Sequence, residues 1–189
     1  MMVYPPSQLR PALFLDRDGV INVEKNYVHH IEDFEFIDGI FDVCRVATEK
    51  SMPIVVVTNQ AGIGRGYYSE TQFLKLTDWM RARFEEKRTP VAAVHYCPFH
   101  PQHGVGSYRK ESFDRKPNPG MLLRARDELG LDMGRSILIG DRGSDIVAAK
   151  AAGVGLTVLL GTDVDNAAPG RVVASLHEAC TLLSSWEWP

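Results

Sequence analysis

Residues 12–22 read ALFLDRDGVIN, and the reading of the fold turns on them. An apolar run ends in two aspartates, Asp16 and Asp18, one residue apart, and Gly19 follows. Like charges at that range repel, and neither carboxylate gains from burial unless something compensates. Either the acids sit on a solvated turn, where Asp and Gly are common, or a cation and a reaction need them.

The surrounding chain alternates apolar runs with helical patterns. Residues 54–57 (IVVV) are continuous enough for a strand buried on both faces. Further strand candidates lie at 12–15, 91–96, 137–139, 156–160 and 171–174. Between them, Ile40, Val43, Cys44 and Ala47 fall on one face of a helix. Ser69 and Gln72 form a capping box that opens a helix with Phe73, Leu76, Met80 and Phe84 on its apolar side. Pro119 stands in the first turn of a helix through Leu129, and Gly130 stops it. A short helix ends at Gly153 and a last one spans 176–183. This order predicts an α/β fold, a Rossmann-like parallel sheet flanked by helices, in a single domain over residues 1–189 without a large cap. A long loop is expected at about 97–116, within an irregular stretch, 98–119, that serves a site or is mobile. The charged run at 81–88 reads as the solvated face of a helix.

Composition narrows the function classes. With 189 residues, 44% of them hydrophobic, the chain can fill one full core. A net charge of −3 with no basic patch argues against nucleic acid or an anionic membrane as partner. Three scattered cysteines, Cys44, Cys97 and Cys180, make no disulfide framework and fit a reducing compartment; Cys44 and Cys180 read as core. No signal peptide and no bilayer-spanning run is visible. A cytoplasmic monomer is expected.

Ligands in open α/β sheets bind beyond the carboxyl ends of the strands. There the chain carries Asp16 and Asp18, then Thr58 and Asn59, then Arg115 and Lys116 in FDRKPNPG, then Asp141, Arg142 and Asp145 in GDRGSD. Aspartates from two strands suit a hard divalent cation such as Mg²⁺. The rim suits phosphoryl transfer. One carboxylate attacks phosphorus to give an aspartyl-phosphate. The second protonates the leaving oxygen and later activates water. A lysine, a hydroxyl and a metal stabilise the transferring oxygens. Asp16, nearer the strand, is expected to attack, with Asp18 as acid and base. Pro117 and Pro119 favour a held Lys116, and Asp145 is expected to orient it rather than bind metal. An incidental turn does not account for all four motifs on one rim.

DRDG after an apolar strand, then TN, then K-P, then GD-x-x-x-D, resembles the haloacid dehalogenase-like phosphohydrolases. With YVHHIEDFEFIDG, VVVTNQAGIGRG, YCPFHP and DRKPNPGMLLRA, the chain from about 11 to about 162 looks like the D-glycero-D-manno-heptose 1,7-bisphosphate phosphatase family, related to the histidinol-phosphate phosphatases. The resemblance implies a nucleophile and Mg²⁺ ligand at Asp16, an acid/base at Asp18 whose backbone oxygen also meets the metal, and a metal ligand at Asp141. It implies phosphoryl contacts from Thr58 and Lys116. Substrate contacts are implied at Glu24, Lys25, Asn26, Tyr27, Asn59, Gln60 and Arg115, and at Arg142, where the family often has lysine. Specificity would come from the loops 24–27, 62–68 and 98–114.

The family commonly holds a structural Zn²⁺ through C-x-H and C-x-C. Here those positions are Cys97, Phe99, Ser112 and Asp114. One ligand of four does not make a tetrahedral site, so structural zinc is not expected, and the loop is expected to be held by packing of Tyr96, Phe99, Tyr108 and Phe113. A regrouping of Cys97, His100, His103 and Asp114 around a metal is the lesser reading. The function expected is release of the C7 phosphate of heptose 1,7-bisphosphate, a small phosphorylated sugar. The alternatives are a histidinol-phosphate or other small-monoester phosphatase, a phosphotransferase, and a non-catalytic phosphate-binding relative, against which both Asp16 and Asp18 stand. His29 and His30 read as loop-surface residues. Trp186 and Trp188 would cover an apolar patch or an oligomer contact.

Overall fold

A computed structural model describes residues 9–161 and 168–187. Its strands are β1 (Leu13–Leu15), β2 (Ile54–Asn59), β3 (Val91–Cys97), β4 (Ile137–Gly140), β5 (Leu156–Leu160) and β6 (Arg171–Val173). Its helices are α1 (Ile40–Glu49), α2 (Ala61–Gly64), α3 (Glu70–Glu86), α4 (Gly120–Leu129), α5 (Gly143–Ala151) and α6 (Leu176–Ser185). The strands form one parallel sheet in the order β3-β2-β1-β4-β5-β6. This is the α/β architecture the alternation predicts.

Strand alternation sorts the core into two layers. Leu13, Leu15, Ile54 and Val56 face α1, α3 and α6, where Val43, Cys44, Leu76, Met80, Phe84 and Leu183 pack on them. Phe14, Val55 and Val57 face Met121, Leu122, Ile146 and Ala149 of α4 and α5. Parallel strands covered on both faces read as unbroken apolar runs, which is why IVVV is legible. The Ser69 capping box forms as expected: Gln72 N donates to Ser69 Oγ at 3.2 Å and Ser69 N donates to Gln72 Oε1 at 2.9 Å. Pro119 precedes the first helical residue of α4 rather than lying inside it, and α2 has no clear sequence signal.

The chain runs from β1 outward to β3, then crosses back to place β4 on the other side of β1. That reversal leaves a crevice at the carboxyl ends of β1 and β4, where open α/β sheets bind ligands. Of the cysteines, Cys44 is buried and Cys180 half-buried against the same layer. Trp186 packs on that layer too, with the Arg171 guanidinium 5.8 Å from its ring, whereas Trp188 lies outside the described residues. Among the described residues no helix is long and apolar enough to cross a membrane.

Candidate active site

The strand ends bring Asp16, Asp141, Asp145, Thr58 and Lys116 together. Lys116, although it lies far along the chain in the loop before α4, is almost wholly buried. Its Nζ stands 2.9 Å from Asp16 Oδ1 and 2.6 Å from Asp145 Oδ1, and it donates to the Val57 carbonyl at 2.8 Å. Burial opposes its charge, yet Asp145 and Asp16 outweigh that and hold its pKa above the usual lysine range. The main chain beneath it is clamped by Asn59, whose Nδ2 donates to Lys116 O and whose Oδ1 accepts from Lys116 N, both at 3.0 Å. Asn59, expected to meet substrate, thus uses its amide to seat the lysine.

Three carboxylates face this one ammonium. Burial first, then the neighbouring Asp145 and Asp141, push the Asp16 carboxyl up to about 8 against the pull of Lys116. Asp141, buried beside Asp145, is pushed up to about 6. Asp141 Oδ1 is buried with no hydrogen-bond partner. Oxygens of Asp16, Asp141 and Asp145 lie within 4.8 Å of one another. Surplus negative charge, an orphaned carboxylate oxygen and an all-oxygen donor set fit a hard divalent cation. The approach is close enough to require a glycine: Gly19 has φ +89°, and a β-carbon there would fall 2.2 Å from Asp141 Oδ2.

Asp18 is surrounded by donors. It accepts from Arg17 Nε at 3.1 Å and Nη2 at 2.7 Å, from Asn22 Nδ2 at 3.1 Å and from Gln60 Nε2 at 3.0 Å. Thr58 Oγ1 accepts from the same Gln60 nitrogen at 2.8 Å. Gln60, also expected to meet substrate, is buried in this network.

Above lies a cleft of about 440 Å³ lined by Glu24, Asn26, Tyr27, Arg65, His100 and Arg115 among others. Asn26 and Tyr27 hold φ of 59° and 64°, a strained pair fixed in part by Asn26 N donating to Glu24 Oε1 at 2.7 Å. Arg142 reaches Glu24 at 3.3 Å. Lys25 is not among the residues lining the cleft: it pairs with Glu35 at 2.9 Å. Arg65, Tyr68 and His100 are lining residues that the motifs do not single out; their positions inside the loops 62–68 and 98–114 are the available signal. His30 is exposed, while His29 stacks on Tyr68 with ring centres 4.8 Å apart.

Cys97 is buried, Lys110 Nζ lies 4.0 Å over the Phe99 ring, and Asp114 pairs with Arg124. Among the described residues, Cys97, His100, His103 and Asp114 do not converge on one point. Tyr96 and Tyr108 anchor the loop by donating to Glu70 at 3.0 and 2.8 Å, and Phe99 packs on Tyr108. Phe113, expected in that packing, is 63% exposed; its backbone carbonyl instead receives Gly120 N at 2.9 Å at the start of α4.

An α/β/α sheet with an acidic rim at its switch point is the architecture of HAD-like hydrolases, and the family model described as HAD-hydrolase-like matches residues 113–179. The D-glycero-alpha-D-manno-heptose-1,7-bisphosphate 7-phosphatase of Burkholderia mallei is 54% identical over 149 residues, 79% of each chain. The beta-anomer 7-phosphatase of Vibrio cholerae is 45% identical over 88% of this chain and 90% of its own. The solved D,D-heptose 1,7-bisphosphate phosphatase of B. bronchiseptica, complexed with magnesium and phosphate, superposes with a TM-score of 0.78 at 25% identity, covering 92% of this chain and 97% of that one. The chain belongs to this heptose-1,7-bisphosphate 7-phosphatase family.

Proposed function

We propose that the protein is a Mg²⁺-dependent phosphatase that hydrolyses the C7 phosphate of D-glycero-D-manno-heptose 1,7-bisphosphate, a step toward activated heptose for surface polysaccharide. The observation that carries this reading is the Asp16–Lys116–Asp145 ion pair beside the unpartnered Asp141 oxygen. The relatives' names support the substrate. Asp16 and Asp141, with the backbone oxygen of Asp18, would hold Mg²⁺, which when bound offsets charge on the phosphoryl oxygens.

Asp16 attacks phosphorus as its bond to O7 breaks, and Asp18 delivers a proton to O7. Water then attacks the aspartyl-phosphate, gives a proton to Asp18 and frees phosphate and Asp16. Lys116 keeps the Asp16 oxygen in place, and Thr58 donates to a phosphoryl oxygen. Glu24, Asn26, Tyr27, Arg142, Arg115 and Arg65 line the space for the sugar and its remaining phosphate. The catalytic unit is read as one domain closed by short loops, acting as a monomer. Buried free thiols at Cys44 and Cys97 support a cytoplasmic setting. The loop 98–119 is read as carrying no structural zinc, a reading supported by the Asp114–Arg124 ion pair and the Lys110 ammonium over the Phe99 ring.

The test is phosphate release, with and without Mg²⁺, from both anomers of the heptose bisphosphate and from histidinol phosphate, with Asp16→Asn as control. Preference for one heptose anomer and an inert control support the reading. Equal turnover of histidinol phosphate overturns the substrate, and no metal-dependent release from any of them overturns the activity.

A further inference from the structure

Gln60 is 1% exposed, and both of its amide protons are donated. Its Oε1 accepts from the Tyr68 hydroxyl at 2.5 Å. Its Nε2 donates to Thr58 Oγ1 at 2.8 Å and to Asp18 Oδ2 at 3.0 Å. One NH₂ group therefore joins the acid/base from the end of β1 to the hydroxyl from the end of β2. We propose that Tyr68 is a positioning residue for catalysis: its hydroxyl fixes which way the Gln60 amide points, and the amide in turn holds Asp18 and orients the Thr58 proton.

The two ends of a primary amide are nearly the same shape and opposite in hydrogen bonding. Rotated by half a turn, Gln60 would set its carbonyl oxygen against the Asp18 carboxylate, acceptor against acceptor. The Asp18 carboxylate, an acceptor only, opposes that state, and the Tyr68 hydroxyl reinforces the choice by donating to the carbonyl oxygen on the far side. Thr58 follows from the same bond. Its oxygen accepts from Gln60, so its own proton is left to point into the cleft, where a phosphoryl oxygen would be received. Asp18 follows too, since Gln60 completes a set in which Arg17 and Asn22 supply the other donors.

The placement of Tyr68 is built rather than incidental. Its ring is buried with Ile63 and Phe73, stacks on His29 at 4.8 Å, and rests against Gly62, where a β-carbon would fall 2.2 Å from Tyr68 Cε1.

The inference rests on the phosphatase reading for its kinetic effect, and its test separates the two. Tyr68→Phe, Gln60→Leu and the double variant are compared for release of phosphate from the heptose bisphosphate. Tyr68→Phe is expected to lower kcat about tenfold, in the range for loss of orientation in acid–base catalysis, with KM within about twofold. The double variant should be no slower than Gln60→Leu, because both break one chain. Unchanged kcat, additive losses, or a loss confined to KM overturns the proposal, the last by making Tyr68 a substrate contact. Independently of turnover, NMR of the Gln60 side-chain amide in the wild type should show protons protected from solvent exchange, with about tenfold of that protection lost in Tyr68→Phe. Wild-type protons that exchange like those of free glutamine overturn the proposal whatever the enzyme hydrolyses. Protected protons in a protein that releases no phosphate sink the function and leave the Tyr68–Gln60 link standing.

Discussion

Lys116 Nζ lies 2.6 Å from Asp145 Oδ1, and both side chains are almost wholly buried. Removing one member of a buried pair leaves an uncompensated charge, a loss of about 3–5 kcal/mol. Lys116→Met should therefore lower stability in urea by that order in the absence of metal. Its kcat should fall by about 10²–10³, the loss typical for one stabilising group at a transferring centre. Wild-type stability in the variant would mean that Asp145 and Asp16 do not rely on the lysine.

Gly19 makes room for Asp141. Gly19→Ala adds a β-carbon where the Asp141 carboxylate stands, in a backbone conformation that side chains disfavour. Saturating Mg²⁺ should raise the wild-type Tm by about 5 °C, since ligand at 100 times its Kd stabilises by about 2.7 kcal/mol. Gly19→Ala and Asp141→Asn should both lose that rise. A full Mg²⁺-induced shift in Asp141→Asn would remove Asp141 from the metal site.

Arg65 lines the cleft beside Arg115 and His100, its guanidinium 5.9 Å from the Tyr27 ring. Arg65→Ala should raise KM for the bisphosphate about tenfold, the equivalent of about 1.4 kcal/mol, with little change in kcat. The same variant should leave KM for a monophosphate nearly unchanged. Equal effects on both substrates would assign Arg65 to the loop rather than to the second phosphate.

The loop 98–119 should bind no zinc. Elemental analysis of protein grown with zinc should find well under one equivalent, and a chelator should leave the metal-free Tm unmoved. One tightly held zinc per chain would require the loop to repack around Cys97.

His95 on β3 is lowered from 6.5 by burial, with Glu128 at 3.6 Å and Asp114 pulling the other way and Arg124 adding to the fall. The unfolded chain binds this proton more readily than the folded one. Its contribution to stability is thus fully present above pH 6.5 and is lost as pH falls below it. Between pH 7 and 5 the wild-type Tm should drop more than that of His95→Gln. Parallel curves would show that His95 takes its proton without cost.

The strands, most helices and the four rim motifs were legible because each rests on local chemistry. Apolar runs such as IVVV belong to strands covered on both faces, Ser69 and Gln72 cap within one turn, Asp16, Thr58 and Asp141 stand where strands end, and Lys116 sits in a proline-flanked loop. Side-chain direction was not legible, because it depends on partners far along the chain. Asn59 lines the cleft, yet its amide also clamps the Lys116 main chain 57 residues away. Lys25 finds Glu35 instead of the cleft, Phe113 is carried to the surface by the turn into α4, and Tyr68 reaches Gln60 only because Gly62 leaves room for its ring. Residue type and spacing, by themselves, determined which groups gather at the carboxyl edge of the sheet. Only tertiary packing decided which of them face the cleft and which hold the others still, since buried polar groups must take whatever partners the fold brings within reach.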